Sequence, residues 1–240
     1  MKLTDFRVLT FDCYGTLIDW ESGIHTALQP LLVRTGRQIS REALLELFGR
    51  HESAQEAETP GMIYSQLLGV VHQRLAVELG VASTVEENRA FGASVPAWPV
   101  FADTVSALQY LQKYYKLVIL SNVDRESFKG SNAKLGVTFD AIYTAQDVGS
   151  YKPDPANFRY LLEHLAARGH QPGEILHTAQ SLFHDHAPAQ AIGLATAWID
   201  RRQDLPGGGA TPPPPAGAVY DFRFASLAAM MTAHQDEIRR

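Results

Sequence analysis

The sequence predicts an α/β protein: a Rossmann-like parallel sheet core with an inserted helical cap. Three observations predict it. Short apolar runs recur at wide intervals, at residues 8–11, 117–120, 142–144, 175–178 and 195–199. Between the later runs lie stretches of helical spacing, and strands that alternate with helices form a parallel sheet covered on both faces. Within the long interval that separates residues 11 and 117, residues from about 19 to 97 are helical in pattern throughout, which marks an insert.

The elements follow in order. Val8-Leu9-Thr10-Phe11 reads as a buried strand, and Gly15-Thr16 as the turn that ends it. In the insert, Ser40 can cap a helix over residues 41–48, and Ile63, Leu67, Val70, Val71 and Leu75 have the spacing of another. Pro96 and Pro99, with Ala97-Trp98 between them, mark the return. Residues 19–97 are therefore read as the cap, and 1–18 with 98–240 as the core. A cap in this position covers the carboxyl end of the sheet and excludes water from it. Val105, Leu108, Leu111 and Tyr115 form one apolar stripe in the core; Phe158, Leu161, Leu162 and Leu165 form another. Asp154 caps that second helix, with Pro155 at its first position. Residues 205–218 (LPGGGATPPPPAGA) read as a mobile surface loop, with a binding role left open. A last edge strand is expected at 219–222 and a helix at 225–231, and no internal repeat is visible.

The bulk numbers set bounds. The 240 residues suffice for one large domain, or for a core with a smaller insert. With 45% hydrophobic and 20% charged residues, the chain has the composition of an ordinary globular protein. A net charge of −5 points to neither nucleic acid nor anionic membrane as partner. No apolar stretch approaches the roughly 18 residues of a spanning helix. Met1-Lys2-Leu3-Thr4-Asp5 leads into the first strand with no signal-peptide pattern. Cys13 is the only cysteine, so no internal disulfide forms and a reducing cytoplasm is the plain expectation.

Four patches fall at strand ends or in the loops that follow: Asp12; Ser121-Asn122; Tyr151-Lys152-Pro153-Asp154; and Gln180-Ser181-Leu182-Phe183-His184-Asp185. The carboxyl ends of parallel strands are where open α/β sheets hold their ligands. If the patches converge, each has a chemical use. Asp12 can attack carbon or phosphorus and form an ester. Ser121 and Asn122 can donate hydrogen bonds. Lys152 can keep Asp12 ionised and in place, and Asp185 can orient Lys152.

In this order and spacing the patches resemble the haloacid dehalogenase superfamily over nearly the whole chain. Any one of them is weak evidence; together with Asp12-Cys13-Tyr14-Gly15-Thr16-Leu17 they are specific. Most members of that superfamily are Mg-dependent phosphatases with Asp-x-Asp at the first motif. Here Tyr14 replaces the second Asp, and Gln180 stands where the last motif's first acid is expected. Mg²⁺ prefers octahedral oxygen coordination with carboxylates, and a phenol is a poor proton donor at neutral pH. Asp-x-Tyr-Gly-Thr is instead the pattern of the L-2-haloacid dehalogenase branch. That resemblance implies a metal-independent hydrolase with no cofactor, acting at C2 of a small 2-substituted carboxylic acid through an aspartyl ester. It implies Asp12 as nucleophile, Thr16 and Lys152 positioning it, and Asp185 supporting Lys152 and helping to prepare the water. Ser121 and Asn122, together with amides of the Asp12 loop at Cys13 and Tyr14, are the implied grip on the substrate carboxylate. Trp20 as a pocket wall and His184 beside Asp185 are read as further substrate contacts. The branch also holds enzymes that open the ring of L-azetidine-2-carboxylate, and this chain's length and departures are compatible with that activity. The departures are Phe158 in place of a Tyr, Gln180-Ser181-Leu182 in place of Ser-Ser-Asn, and a halide-receiving arginine for which Arg50 is only a candidate.

Plainer roles stand beside these. Asp12 could cap a helix, Ser121-Asn122 could be an ordinary turn, Lys152 a solvated surface lysine, and Asp185 a structural acid. Tyr14 and Trp20 could line the pocket or simply pack. Cys13 is expected to pack behind the strand end, without an activating partner. His184 and His186, alternating on an extended segment, could both face a metal, but spacing offers no third ligand. Two other functional classes remain: a Mg-dependent small-molecule phosphatase and a non-enzymatic ligand-binding module of the same fold. Apolar cap helices leave a homodimer open.

Overall fold

In the computed structural model, which describes residues 1–239, six parallel strands form one sheet. They are β1 (Val8–Phe11), β2 (Lys116–Ser121), β3 (Ala141–Thr144), β4 (Ile175–Ala179), β5 (Ala195–Ile199) and β6 (Phe222–Phe224), in the order β3-β2-β1-β4-β5-β6. β1 is central. Phe11 registers with Ile119 of β2 on one side and Thr178 of β4 on the other. The strand order reverses at β1, so the crevice past its carboxyl end is the switch point at which such sheets bind ligands.

Side chains alternate across the sheet with period two. Leu9, Phe11, Leu117 and Ile119 join a large core that continues into the cap, while Val8, Val118 and Leu120 join a smaller core with Phe158, Leu161 and Leu165. The core helices are α6 (Thr104–Leu111), α7 (Arg125–Leu135), α8 (Ala145–Val148), α9 (Pro155–Ala166), α10 (Ala187–Ala191) and α11 (Leu227–Arg239). Asp154 caps α9 as expected, its side chain accepting from Ala156 N.

Between β1 and β2 the chain forms α1 (Trp20–Ala27), α2 (Gln29–Thr35), α3 (Arg41–Glu58), α4 (Tyr64–Glu78) and α5 (Val85–Gly92). The Ser40 hydroxyl accepts from Ala43 N at 3.2 Å and starts α3. That helix runs on to Glu58 rather than ending at Phe48, because its buried face continues with Gly49, Glu52, Gln55 and Glu56. The outgoing and returning chains run side by side: Asp19 N donates to Pro99 O (2.8 Å) and Phe101 N to Leu17 O (3.2 Å). Trp98 is buried there, edge-on to Tyr14 with ring centroids 5.6 Å apart.

Three expectations are corrected. The last strand is Phe222–Phe224, not 219–222. Asp221 instead hydrogen-bonds both ways with Thr196, and Arg223 pairs with Asp200 at 2.6 Å. The last helix begins at Leu227 and reaches Arg239, held by Glu237, whose carboxylate accepts from Leu3 N and Thr4 N. The Gly/Pro segment is not a free surface loop. Ala210 is buried against Gly49 of α3, and Ala210 N donates to Glu21 at 3.1 Å. Among the described residues no helix is long and apolar enough to cross a membrane.

Candidate active site

Asp12 is the first residue past β1. Its N–H donates to Thr178 O at 3.1 Å, extending the sheet's hydrogen bonding by one residue before the chain turns. The turn closes on the Cys13 carbonyl, which accepts from Thr16, Leu17 and Ile18. Gly15 makes it possible: its φ is +90°, and a Cβ there would sit 3.0 Å from Trp20 Nε1. The turn swings Thr16 back so that its hydroxyl donates to Asp12 Oδ2 at 2.7 Å and accepts from Gln180 N at 2.9 Å. Arg201 braces the same turn, donating to Thr16 O (2.9 Å) and to Asp103 (2.8 Å).

Lys152 reaches the other Asp12 oxygen. It is 1% exposed, and Nζ donates to Asp12 Oδ1 (3.0 Å), Leu120 O (3.0 Å) and Asp185 Oδ1 (2.5 Å). All three ammonium protons are thus used. Behind them, His177 Nε2 lies 3.0 Å from Asp185 Oδ1, and its Nδ1 lies 2.8 Å from the Thr10 hydroxyl. A buried chain therefore runs Asp12–Lys152–Asp185–His177–Thr10. Burial opposes its charges and pairing restores them. Burial alone would depress the Lys152 ammonium, but Asp12 and Asp185 hold it above the ordinary lysine value. Burial would raise Asp185, but Lys152 and His177 draw it far below the ordinary range. For Asp12, burial wins by raising it, while Lys152 and the Thr16 hydroxyl favour its charged form.

The site opens into a small pocket, with about 410 Å³ of empty space when the open solvent at its mouth is included. Asp12, Tyr14, Trp20, Ser121, Asn122, Lys152, His184 and Asp185 all line it, so the four sequence patches converge. Ser121 Oγ is buried there with no partner. Asn122 is committed elsewhere: its amide nitrogen donates to Lys152 O (3.0 Å) and Glu56 (3.2 Å), and its oxygen accepts from Lys152 N (2.7 Å). It holds the Lys152 loop, leaving no spare proton for a substrate carboxylate. Tyr14 OH bonds to Ser131 at 2.9 Å, and burial pushes its phenol well above the ordinary value. Trp20 forms a wall, edge-on to Phe48.

A family model for haloacid dehalogenase-like hydrolases matches residues 6–178. The chain belongs to that family. The hydrolase is 26% identical to the (S)-2-haloacid dehalogenase 4A of Burkholderia cepacia over 210 residues, which is 83% of this chain and 85% of the relative. Its fold matches that of L-2-haloacid dehalogenase from Xanthobacter autotrophicus with chloropropionic acid covalently bound. There the TM-score is 0.77 at 18% identity, over 96% of this chain and 98% of the other. The fold equally matches YfnB of Bacillus subtilis, a hydrolase of the superfamily bound to magnesium, with TM-score 0.77 at 17% identity over 96% and 99% of the chains. Fold alone does not separate metal from metal-free chemistry; the donor atoms of this hydrolase bear on it instead. Asp12 Oδ1 and Asp185 Oδ1 share Lys152, and Asp12 Oδ2 accepts from Thr16. Gln180, in the place of a metal-ligating acid, accepts from the Thr211 hydroxyl at 3.2 Å. Among the described residues no three His, Cys, Asp or Glu side chains are placed to share an ion. This donor set does not fit Mg²⁺.

Cys13 packs in the core as expected: its thiol is fully buried, and burial raises its pKa well above the ordinary value. Two sequence expectations about side chains need correction. His184 and His186 do not face one way, because Leu182–His186 is a turn of π-helix rather than an extended segment. His184 lines the pocket, and burial pushes it down to about 4, leaving it neutral at pH 7. His186 turns inward, its Nε2 2.9 Å from the Ala179 carbonyl oxygen. Arg50 is no halide receiver: it is exposed and paired with Glu78 at 2.7 Å. Phe158 lies behind the site, edge-on to the His177 ring.

Sequence reasoning missed His177, Arg201, and the cap residues Glu52, Glu56 and Tyr64 that line the pocket. Thr211, from the Gly/Pro segment, lines it too. A signal existed for the two acids. They continue the helical stripe of Leu44, Leu45 and Phe48, so they sit on the buried face of α3.

Proposed function

We propose that the protein is a metal-independent hydrolase that acts at C2 of a small 2-substituted carboxylic acid through an ester to Asp12. The observation that carries this is the setting of Asp12. Its carboxylate is fixed at both oxygens, by Thr16 and Lys152, beside a Tyr14 that cannot act as the phosphatase acid. Asp12 attacks C2, and the leaving group departs with the bonding electrons. Water then adds to the Asp12 carbonyl and releases a 2-hydroxy acid. Ser121 Oγ is the free donor for the substrate carboxylate. The covalently bound chloropropionic acid of the Xanthobacter neighbour supports an ester of this kind. The leaving group is a halide or a ring amine. The lone buried Cys13 fits a cytoplasmic enzyme.

Multiple turnovers in ¹⁸O-labelled water test it. Asp12 acquires ¹⁸O if water attacks the ester carbonyl. An unlabelled Asp12 after many turnovers means that water attacks the substrate directly, and the proposal fails. Mg²⁺-dependent release of phosphate from an aryl phosphate, abolished by EDTA, marks a phosphatase instead. Unchanged function in Asp12→Asn marks a binding module.

A further inference from the structure

Two cap carboxyl groups line the pocket without a part in the ester chemistry. Glu52 and Glu56 lie one turn apart on α3, 4% and 7% exposed. Glu52 accepts from the Tyr64 hydroxyl, and Glu56 accepts from Asn122 at 3.2 Å. Among the described residues, the pocket is lined by four acids, Asp12, Glu52, Glu56 and Asp185, and by a single cation, Lys152. Asp12 and Asp185 already share that cation. A haloacid is an anion, and among these lining residues no unengaged positive charge would receive it. A zwitterion brings its own. Ser121 Oγ, 2% exposed and unpartnered, lines the same pocket and is free to donate to a carboxylate.

We infer that Glu52 and Glu56 are the receptor for a protonated amine. The substrate class is then a small zwitterionic cyclic imino acid, its carboxylate on Ser121 and its ring nitrogen facing the two cap acids. The inference rests on the Asp12 ester and selects between its two leaving groups. A buried acid pair costs free energy unless it shares protons or meets a cation. Burial pushes Glu52 up to about 7, and burial together with Glu52 pushes Glu56 well above the ordinary value, so the empty pair retains a proton near neutrality.

The step balances. Backside attack directs the leaving group away from Asp12 and toward the cap. The Asp12 carboxylate forms the C2–O bond, and the C2–N bond of the protonated ring breaks with its electron pair going to nitrogen. The tethered amine takes a proton from the glutamate pair and becomes a primary ammonium. Water then adds to the Asp12 carbonyl and its oxygen stays with Asp12; one of its protons passes to the departing C2 oxygen, which is released as the hydroxyl, and the other returns to the pair. An amine leaves from carbon when it is protonated and its ring is strained, so a four-membered ring is the best case.

Two measurements test it on the intact protein. In the first, kcat/KM is compared for L-azetidine-2-carboxylate and L-2-chloropropionate in wild type, Glu52→Gln and Glu56→Gln. Wild type prefers the azetidine, and the ratio of the two constants falls about 100-fold in each variant, the scale of losing one partner of a buried charge pair. A wild-type preference for chloropropionate, or parallel loss on both substrates, overturns the receptor. In the second, calorimetry follows L-proline, an unstrained zwitterion that need not react, against isobutyrate. Tighter binding of proline by wild type, lost in the double variant, supports the receptor. Equal binding of the two by wild type overturns it whether or not either substrate turns over. Failure of the ester itself shows separately, as an Asp12 free of ¹⁸O.

Discussion

Lys152 gives one proton each to Asp12, Asp185 and the Leu120 carbonyl, in a place almost closed to water. The arrangement tolerates a net negative charge because each acid has further donors: Thr16 for Asp12 and His177 for Asp185. Glu52 is the opposite case. It has the Tyr64 hydroxyl and a second acid, Glu56, but no ammonium of its own. Burial therefore moves its carboxyl from 4.5 up to about 7. In the unfolded chain that proton is lost near the ordinary value; in the folded chain it is kept to about 7. Between the two the folded state holds the extra proton, so raising the pH across that window lowers stability. Glu56 acts with the same sign, while Asp185, held low, costs stability only in acid. Burial also pushes His184 and His186 down to about 4, and they act with the opposite sign over the same window. The test is therefore differential: relative to wild type, the urea midpoint of Glu52→Gln is expected to rise between pH 5 and pH 7.5, and an unchanged difference between the two proteins would rule out this role for Glu52.

At the scale of elements, α3 does most to shape the pocket. Its first half is a conventional apolar stripe; its second half buries Gly49, Glu52, Gln55 and Glu56. Gly49 is small for a reason: a Cβ there would lie 2.1 Å from the carbonyl oxygen of Ala210. That contact seats the Gly/Pro segment, which in turn brings Thr211 to the pocket. Gly49→Ala is therefore expected to displace the segment, at a cost of about 1–3 kcal/mol, the usual range for overpacking. KM should rise more than kcat falls. A thermal midpoint and KM both equal to wild type would show that the segment adjusts freely. A stop at Phe48 is what the sequence suggests, because the acids beyond it resemble a solvated end. The last strand is expected early because Val219 and Tyr220 look strand-forming, yet Phe222 and Phe224 carry the pairing to β5.

Across the whole molecule, two of the ties that fasten the cap to the core bear on its closure. One is the paired crossing at Leu17–Asp19 and Pro99–Phe101. The other is Arg202, which follows β5 and reaches the cap acids Glu21 and Glu42, with the second pair at 2.5 Å. Its guanidinium also donates to Pro206 O at 2.7 Å, so one side chain ties core, cap and Gly/Pro segment together. Removing it leaves Glu21, buried and already raised by desolvation, without its cation. Arg202→Ala is expected to lower stability by about 3 kcal/mol, as for a broken buried ion pair. It should also raise KM by loosening the closed cap. Chemical denaturation and steady-state kinetics check both, and a loss under about 0.5 kcal/mol, typical of surface changes, would count against the clasp.

The sequence by itself determined the sheet, the helical run between β1 and β2, and the four patches that meet around Asp12. These depend on local patterns: apolar runs of strand length, glycine where the chain must turn, and chemical side chains just past strand ends. Its family resemblance stands, since the chain belongs to the haloacid dehalogenase-like hydrolases. Only the tertiary structure decided which side chains are already spoken for and which are free. Asn122 has the chemistry of a substrate grip and is consumed by Lys152 and Glu56; Arg50 has that of an anion site and faces solvent. Glu52 and Glu56 pass for surface acids of a helix and stand in the pocket wall. The physical reason is that hydrogen-bond commitment and desolvation are set by neighbours distant in the chain. A residue's type fixes what it can do, and only its surroundings fix whether it is free to do it.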